Sequence, residues 1–347
     1  MNKGRDTTID ALRGLAILIM IAANSSATIY AEPHPYWFRC LSSVAAPLFI
    51  TLSGMMIRFS QIRKDYPFVY FLKRGLVLIG VAAFKDIAAW HMYPFTSFDV
   101  LYIIGISAPI AFLFGRINKT SLQWMLIAAV FLLTPVLQHL FGYTPYPTEI
   151  SLDGSYYRVV ENQTSVLNHL FIDGWFPIFP WLGFSLFGVM LARYRWEGEG
   201  NRSFYHKKVG LVAIACLSIG ILLKVAFPVE LLIRDGFGEV FYPPTLGFCI
   251  YTVGIILTLF GAFDKVAFFK AFKPVAIVGR SSLFLYILHT FAINYVFSLL
   301  FEGLEGIHFA LFWLFFAALI TAVAYGLELL KKKWRQRPWF FRFLLGG

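Results

Sequence analysis

Apolar residues in this chain come in long unbroken runs, without the alternation of a half-buried strand or the narrow stripe of a surface helix. A helix needs about 20 predominantly apolar residues to cross a bilayer core. Segments 9–29, 38–59, 69–90, 98–115, 121–141, 175–193, 209–228, 240–262, 276–300 and 307–329 reach or approach that length. The pattern predicts an all-α polytopic integral membrane protein of about ten transmembrane helices, a single domain over residues 1–347. The connections leave no room for a soluble domain, and the longest of them runs from Gly142 to Gly174.

Composition agrees and removes other classes. The chain is 59% apolar and 14% charged, whereas a soluble chain carries about 25% charged residues. Soluble enzymes, disulfide scaffolds and disordered tails are set aside. A net charge of +11 would suit nucleic acid if it formed one patch, but the basic residues sit beside the spans. No nucleic-acid partner is expected. Cys40, Cys216 and Cys249 have neither CxxC nor metal-ligand spacing, so neither a disulfide framework nor a metal is predicted.

The placement of Lys and Arg orients the chain, because cytoplasmic loops carry the excess. Arg58, Arg63, Lys64, Lys73 and Arg74 link spans two and three; further basic groups link four to five, six to seven and eight to nine, and follow span ten. The other side holds few basic residues and many acidic ones, Glu149, Asp235 and Glu239 among them. Both termini are therefore predicted to be cytoplasmic. Lys3 and Arg5 ahead of an apolar run resemble a signal peptide, but Asp6, Asp10 and nine later spans favour an uncleaved first helix.

Ionisable groups at membrane depth are costly and default to function or to a paired structural role. On the first span Asp10, Arg13, Ile17, Met20 and Asn24 share one face, so a polar face runs inward to outward. Arg13 could equally snorkel to headgroups, with Asp10 as its partner and Asn24 bonded to a neighbouring helix. His34, beyond the outer end, suits a general base or an acyl carrier, or is an incidental loop residue. Ser282, Tyr286 and His289 share a face of span nine, where His289 lines a substrate or is a satisfied core residue. Lys85 and Asp86 are adjacent and point apart, so each needs its own partner. Asp99 opens span four as a cap or a lining group, and Trp181 is a belt aromatic or a site wall. The inner basic clusters, Lys73, Arg74 and Arg280 included, are orientation signals that could also attract a polyphosphorylated ligand.

The opening IDALRGLAILIMIAAN, a histidine ten residues later in HPYW, and then APLFITLSG resemble the start of the heparan-α-glucosaminide N-acetyltransferase family. FDVLYIIGIS, FPIFPWLGFSLFGVMLAR and VGRSSLFLYILHT look like its later landmarks in the same order, and only 142–172 is uninformative. The resemblance implies a membrane acyltransferase of that superfamily. His34 matches the active-site histidine and Asn24 the active-site asparagine. The related acyltransferase-three branch has histidine where this chain has Asn24, which favours the glucosaminide branch. Animal members carry an aspartate in span two where this chain reads SSVAAP. The LRG opening and a GRxxLxxYxL pattern are also shared with an uncharacterised bacterial membrane family.

By this resemblance the chain transfers an acyl group, acetyl above all, from cytoplasmic acetyl-CoA to an extracytoplasmic amino sugar or other glycan. The thioester is already activated, so the protein must place it, deprotonate the acceptor and stabilise an oxyanion. Asp10, Arg13, Lys73, Arg74 and Arg280 would hold the donor; His34 and Asn24 would act in catalysis. Lys85, Asp99, Trp181 and His289 would line the acceptor. A bacterial inner membrane is the expected location, lipids are partners, and the reading admits a homodimer. The rival is a transporter or flippase without catalysis, against which stands the lack of an inverted repeat or paired broken helices.

Overall fold

The computed structural model describes residues 5–146, 149–155, 164–198, 201–266 and 269–346. Lys3, ahead of the first span, and Arg158 and Glu161, which belong to the basic and acidic residues of the side predicted to face outward, lie outside them. The described residues form α1 (Thr7–Ile29), α2 (Tyr36–Ser42), α3 (Ala45–Lys64), α4 (Phe68–Trp90), α5 (Val100–Gly115), α6 (Thr120–Phe141), α7 (Val166–Asn168), α8 (Ile178–Trp196), α9 (Lys207–Ala226), α10 (Leu246–Val266), α11 (Lys273–Gly279), α12 (Ser282–Ala292), α13 (Ser298–Leu300), α14 (Gly306–Lys333) and α15 (Trp339–Leu345). No strand longer than an isolated bridge occurs among them.

Seven helical segments are long and apolar enough to cross a membrane, or eight if the bent pair Val166–Asp173 and Ile178–Trp196 is one span. The other two sequence segments fall short for visible reasons. Helix α4 carries Lys73, Arg74, Lys85 and Asp86, and α5 has only 16 residues. Segment eight begins at Leu246 rather than at 240. Val240, Phe241 and Tyr242 are buried in the loop before it, and Pro243 and Pro244 supply no N–H for a helix. The ninth segment is broken at Arg280 and Ser281 between α11 and α12.

The helices are brought together by small residues. At the crossing of α1 and α11, a Cβ on Gly14 would stand 1.8 Å from the Val275 carbonyl oxygen, and one on Gly279 would stand 1.8 Å from that of Asp10. Gly54 and Gly188 make the same approach between α3 and α8, at 1.9 and 2.0 Å. Without a hydrophobic force between helices in lipid, backbone contact of this kind holds spans together.

Most ion pairs among the described residues collect at one end. Arg195 bridges Asp6 and Asp264, Arg280 pairs with Asp10 at 3.5 Å and Glu328 at 3.3 Å, and Lys331 pairs with Glu328 at 2.7 Å. The start of α1 and the ends of α8, α10 and α14 therefore lie on the same side, and so do the two described chain ends. At the opposite end, loops form a cap around Arg234, which is fully buried. Its guanidinium donates to the carbonyls of Pro145 at 2.8 Å, Thr144 at 2.9 Å and Gly174 at 3.1 Å, and lies 4.8 Å from the Tyr242 ring.

Candidate functional site

Close packing of α1 on α11 sets the register of the polar face of α1 against α12. Near the ion-pair end, Arg13 donates to Ser282 Oγ at 2.7 Å; farther along, Asn24 Nδ2 donates to His289 Nε2 at 2.9 Å. The tautomer follows from the other ring nitrogen. His289 Nδ1 lies 3.0 Å from the Leu285 carbonyl, which can only accept, so Nδ1 carries the proton and Nε2 is the acceptor. An amide has two N–H donors, and this bond uses one.

Asn24 lines a cavity below the cap, whose wall includes Lys85, Asp99, Glu149, Asp235, Glu239 and Tyr286. Lys85 forms an ion pair with Asp99, and Tyr286 donates to the same carboxylate at 2.9 Å. Asp99 also caps α5 by accepting from the Val100 N–H. Asp86, beside Lys85, turns away to accept from the Tyr102 hydroxyl at 2.6 Å. The adjacent charges thus have separate partners, as their geometry on a helix requires.

Two cap carboxyls stand out. Glu149 and Glu239 are each about 95% buried, and burial pushes both up to about 7. Glu149 accepts from the Trp175 indole N–H, whereas Glu239 Oε2 has no hydrogen-bond partner among the described residues. Among the described lining residues Lys85 is the cation facing this acidic wall, and it is matched by Asp99.

His34 lies behind this wall. It is 7% exposed, stacked on Tyr30 with ring centroids 5.0 Å apart, and Tyr30 in turn stacks on Phe309 at 4.3 Å. Burial pulls its proton affinity down, partly offset by a long contact to the Tyr30 carbonyl. The ring faces Gly238, where a Cβ would come within 3.4 Å of Nδ1 and 3.3 Å of Arg39 Nε. The neighbours of that glycine, Phe237 and Glu239, line the cavity.

Toward the ion-pair end a second cavity is lined by Arg5, Asp10, Arg13 and Arg63, beside Phe59 and Trp196. A third, deeper one has Arg13 and Arg74 with Phe49, Ser282 and Phe343. Arg13 belongs to both. The Phe49 ring stacks at 6.4 Å on Tyr286, which lines the cap cavity. A layer of Phe49, Tyr286 and the Asn24–His289 pair thus separates basic cavities from an acidic one.

Apart from His34, most of the sequence candidates divide between the two ends. Asn24, Lys85 and Asp99 line the cap cavity, with His289 bonded to the first of them. Asp10, Arg13 and Arg74 line the inner cavities, and Arg280 touches them through Asp10. Lys73 is exposed beside them. Trp181 is fully buried among Phe176, Phe184 and Phe241, and meets the cap cavity through Phe176. Sequence reasoning missed Glu149 and Glu239 as lining groups, because loop residues carry no periodicity and the one available signal was the acidity of that side; it also missed Trp90, at the end of α4, and Asn294, in the helical turn after α12, which nothing in their apolar runs set apart.

No curated protein matches the chain. A family model described as a protein of unknown function (DUF418) matches residues 191–338. The model described as heparan-alpha-glucosaminide N-acetyltransferase, catalytic, matches residues 5–223, more than half of the chain, and the chain belongs to that family.

Proposed function

We propose that the protein moves an acyl group, acetyl in the first instance, from cytoplasmic acyl-CoA in the basic cavities to an amine presented in the cap cavity outside. This reading takes all ten sequence segments as crossings, with both termini cytoplasmic in a bacterial inner membrane. The donor's phosphates would meet Arg5, Arg13 and Arg63, with Arg74 deeper along the arm. The thioester would arrive at Asn24, whose second N–H is free of the His289 bond and can donate to the developing oxyanion. His289 positions that amide. His34, neutral through burial, would take the proton from the acceptor, or carry the acyl group, once residues 237–239 give way. The acidic lining, and the unpartnered oxygen of Glu239 above all, favours a cationic amine over a neutral hydroxyl. The observation that carries the reading is the held Asn24 amide between cavities of opposite charge.

The test is transfer from labelled acetyl-CoA to an amino-sugar glycan in proteoliposomes. His34→Ala should reduce transfer by about 10²-fold or more, as loss of a general base does, and leave donor binding intact. Asn24→Ala should cost about 10²–10³-fold, the usual effect of removing one oxyanion donor. Full activity in His34→Ala would remove that residue from the chemistry. Movement of the glycan itself without acylation would favour the transporter class.

A further inference from the structure

After α14 the chain turns back on itself through residues 334–338, and α15 packs against α12. The turn is tied by Lys331 Nζ, which donates to the Ser281 hydroxyl at 2.7 Å and the Arg280 carbonyl at 3.3 Å. Gly346 follows with φ +82, a left-handed backbone, and a Cβ there would stand 2.0 Å from the Arg280 oxygen. This close approach seats Leu345, which is 5% exposed, and carries Phe343 into the deeper inner cavity beside Arg13, Arg74 and Ser282. The Phe343 ring lies 5.2 Å from the Arg74 guanidinium, and Trp339 stacks on its other side at 5.6 Å.

We propose that α15 is a stopper for the inner cavity. Phe343 forms the wall beside the two arginines that a long donor arm must pass to reach Asn24, narrowing the way in, and it covers the cationic face of Arg74 with its ring. Donor and stopper therefore compete. Beyond the Lys331 bonds at the turn, the segment itself is held by one ring on one guanidinium, one buried leucine, the contact at Gly346 and its packing on α12, a light hold for seven residues. The rest of α15 faces outward, with Trp339, Phe340 and Phe341 exposed by 45%, 44% and 39%. With Lys332, Lys333, Arg335 and Arg342 nearby, that face has the composition of a helix at a membrane surface, which gives the released segment a place to rest. The blocking itself is a property of the cavity; its meaning for turnover rests on the donor reading above.

The experiment uses the full chain with Cys40, Cys216 and Cys249 replaced by serine and one reporter in the deeper cavity, Ser53→Cys or, in a second protein, Leu283→Cys. Labelling by a water-soluble maleimide in detergent should be slow with Phe343 present and at least tenfold faster in Phe343→Ala, while Phe343→Trp should stay slow. Equal rates with and without the Phe343→Ala substitution, for both reporters, would overturn the stopper. Acetyl-CoA should then protect the reporter in the Phe343→Ala background. Faster labelling without protection would leave the stopper standing and remove the donor from this cavity, so the two readings fail separately.

Discussion

Glu239 illustrates how burial alone alters a residue. Its carboxyl lies in the cap with Arg39 as the nearest opposing charge, Asp235 on the same cavity wall and one oxygen without a partner, so desolvation raises it to about 7 from 4.5. A raised acid holds its proton in the folded state after the unfolded chain has lost it. The stability gained this way is full below about 4.5 and lost as pH rises through about 7. Glutamine resembles the protonated form at every pH. The thermal midpoint of Glu239→Gln relative to the parent, followed from pH 4.5 to 8 in detergent, should therefore rise up to about pH 7 and then level off. Parallel pH curves for the two proteins would mean that Glu239 is solvated. Asn24 makes the complementary point, since its identity as a donor follows from the proton on His289 Nδ1, which the Leu285 carbonyl fixes.

At the scale of elements, the crossing of α1 with α11 determines where the chemistry sits. Both helices approach to backbone contact at Gly14 and Gly279, and from that crossing the polar face of α1 meets Ser282 and His289. Gly279→Val would set its Cβ 1.8 Å from the Asp10 carbonyl oxygen and force the helices apart. Overpacking of this kind costs about 1–3 kcal/mol, and it should separate Asn24 from His289. We expect a lowered thermal midpoint together with a loss of transfer larger than the loss of folded protein. If activity per folded molecule is unchanged, the crossing serves stability alone. The polar face was legible in the sequence from its helical spacing. Its partner face was not, because nothing local in α1 says which of the other helices will lie against it.

For the molecule as a whole, the two ends differ in kind. Most of the ion pairs and the arginine-lined cavities occupy one, and loops around the buried Arg234, with an acidic cavity, occupy the other. The proposed orientation puts the first in the cytoplasm. In a chain lacking native cysteines, Glu32→Cys should label from outside intact cells and Lys333→Cys only after lysis. The reverse pattern would turn the protein over and place the donor cavity on the wrong side of the membrane for acyl-CoA.

The sequence by itself determined the class. Apolar runs must be covered by lipid or by each other, and their backbone groups must be satisfied within helices, so an all-helical membrane protein follows from hydropathy alone. The order of the LRG, HPYW and PWLG segments also pointed to the family from local residues, and the basic loops gave the expected orientation. Only the tertiary structure decided which polar groups meet. It put His289 on Asn24, gave Lys85 and Asp86 separate partners, and set Trp181 within the aromatic core. It also brought Glu149 and Glu239 from two distant loops to one cavity and returned Phe343 to Arg74. The Asn24–His289, Glu149–Glu239 and Phe343–Arg74 meetings join residues far apart in the chain, and the first follows from backbone approach at Gly14 and Gly279, which no periodicity along a single helix encodes.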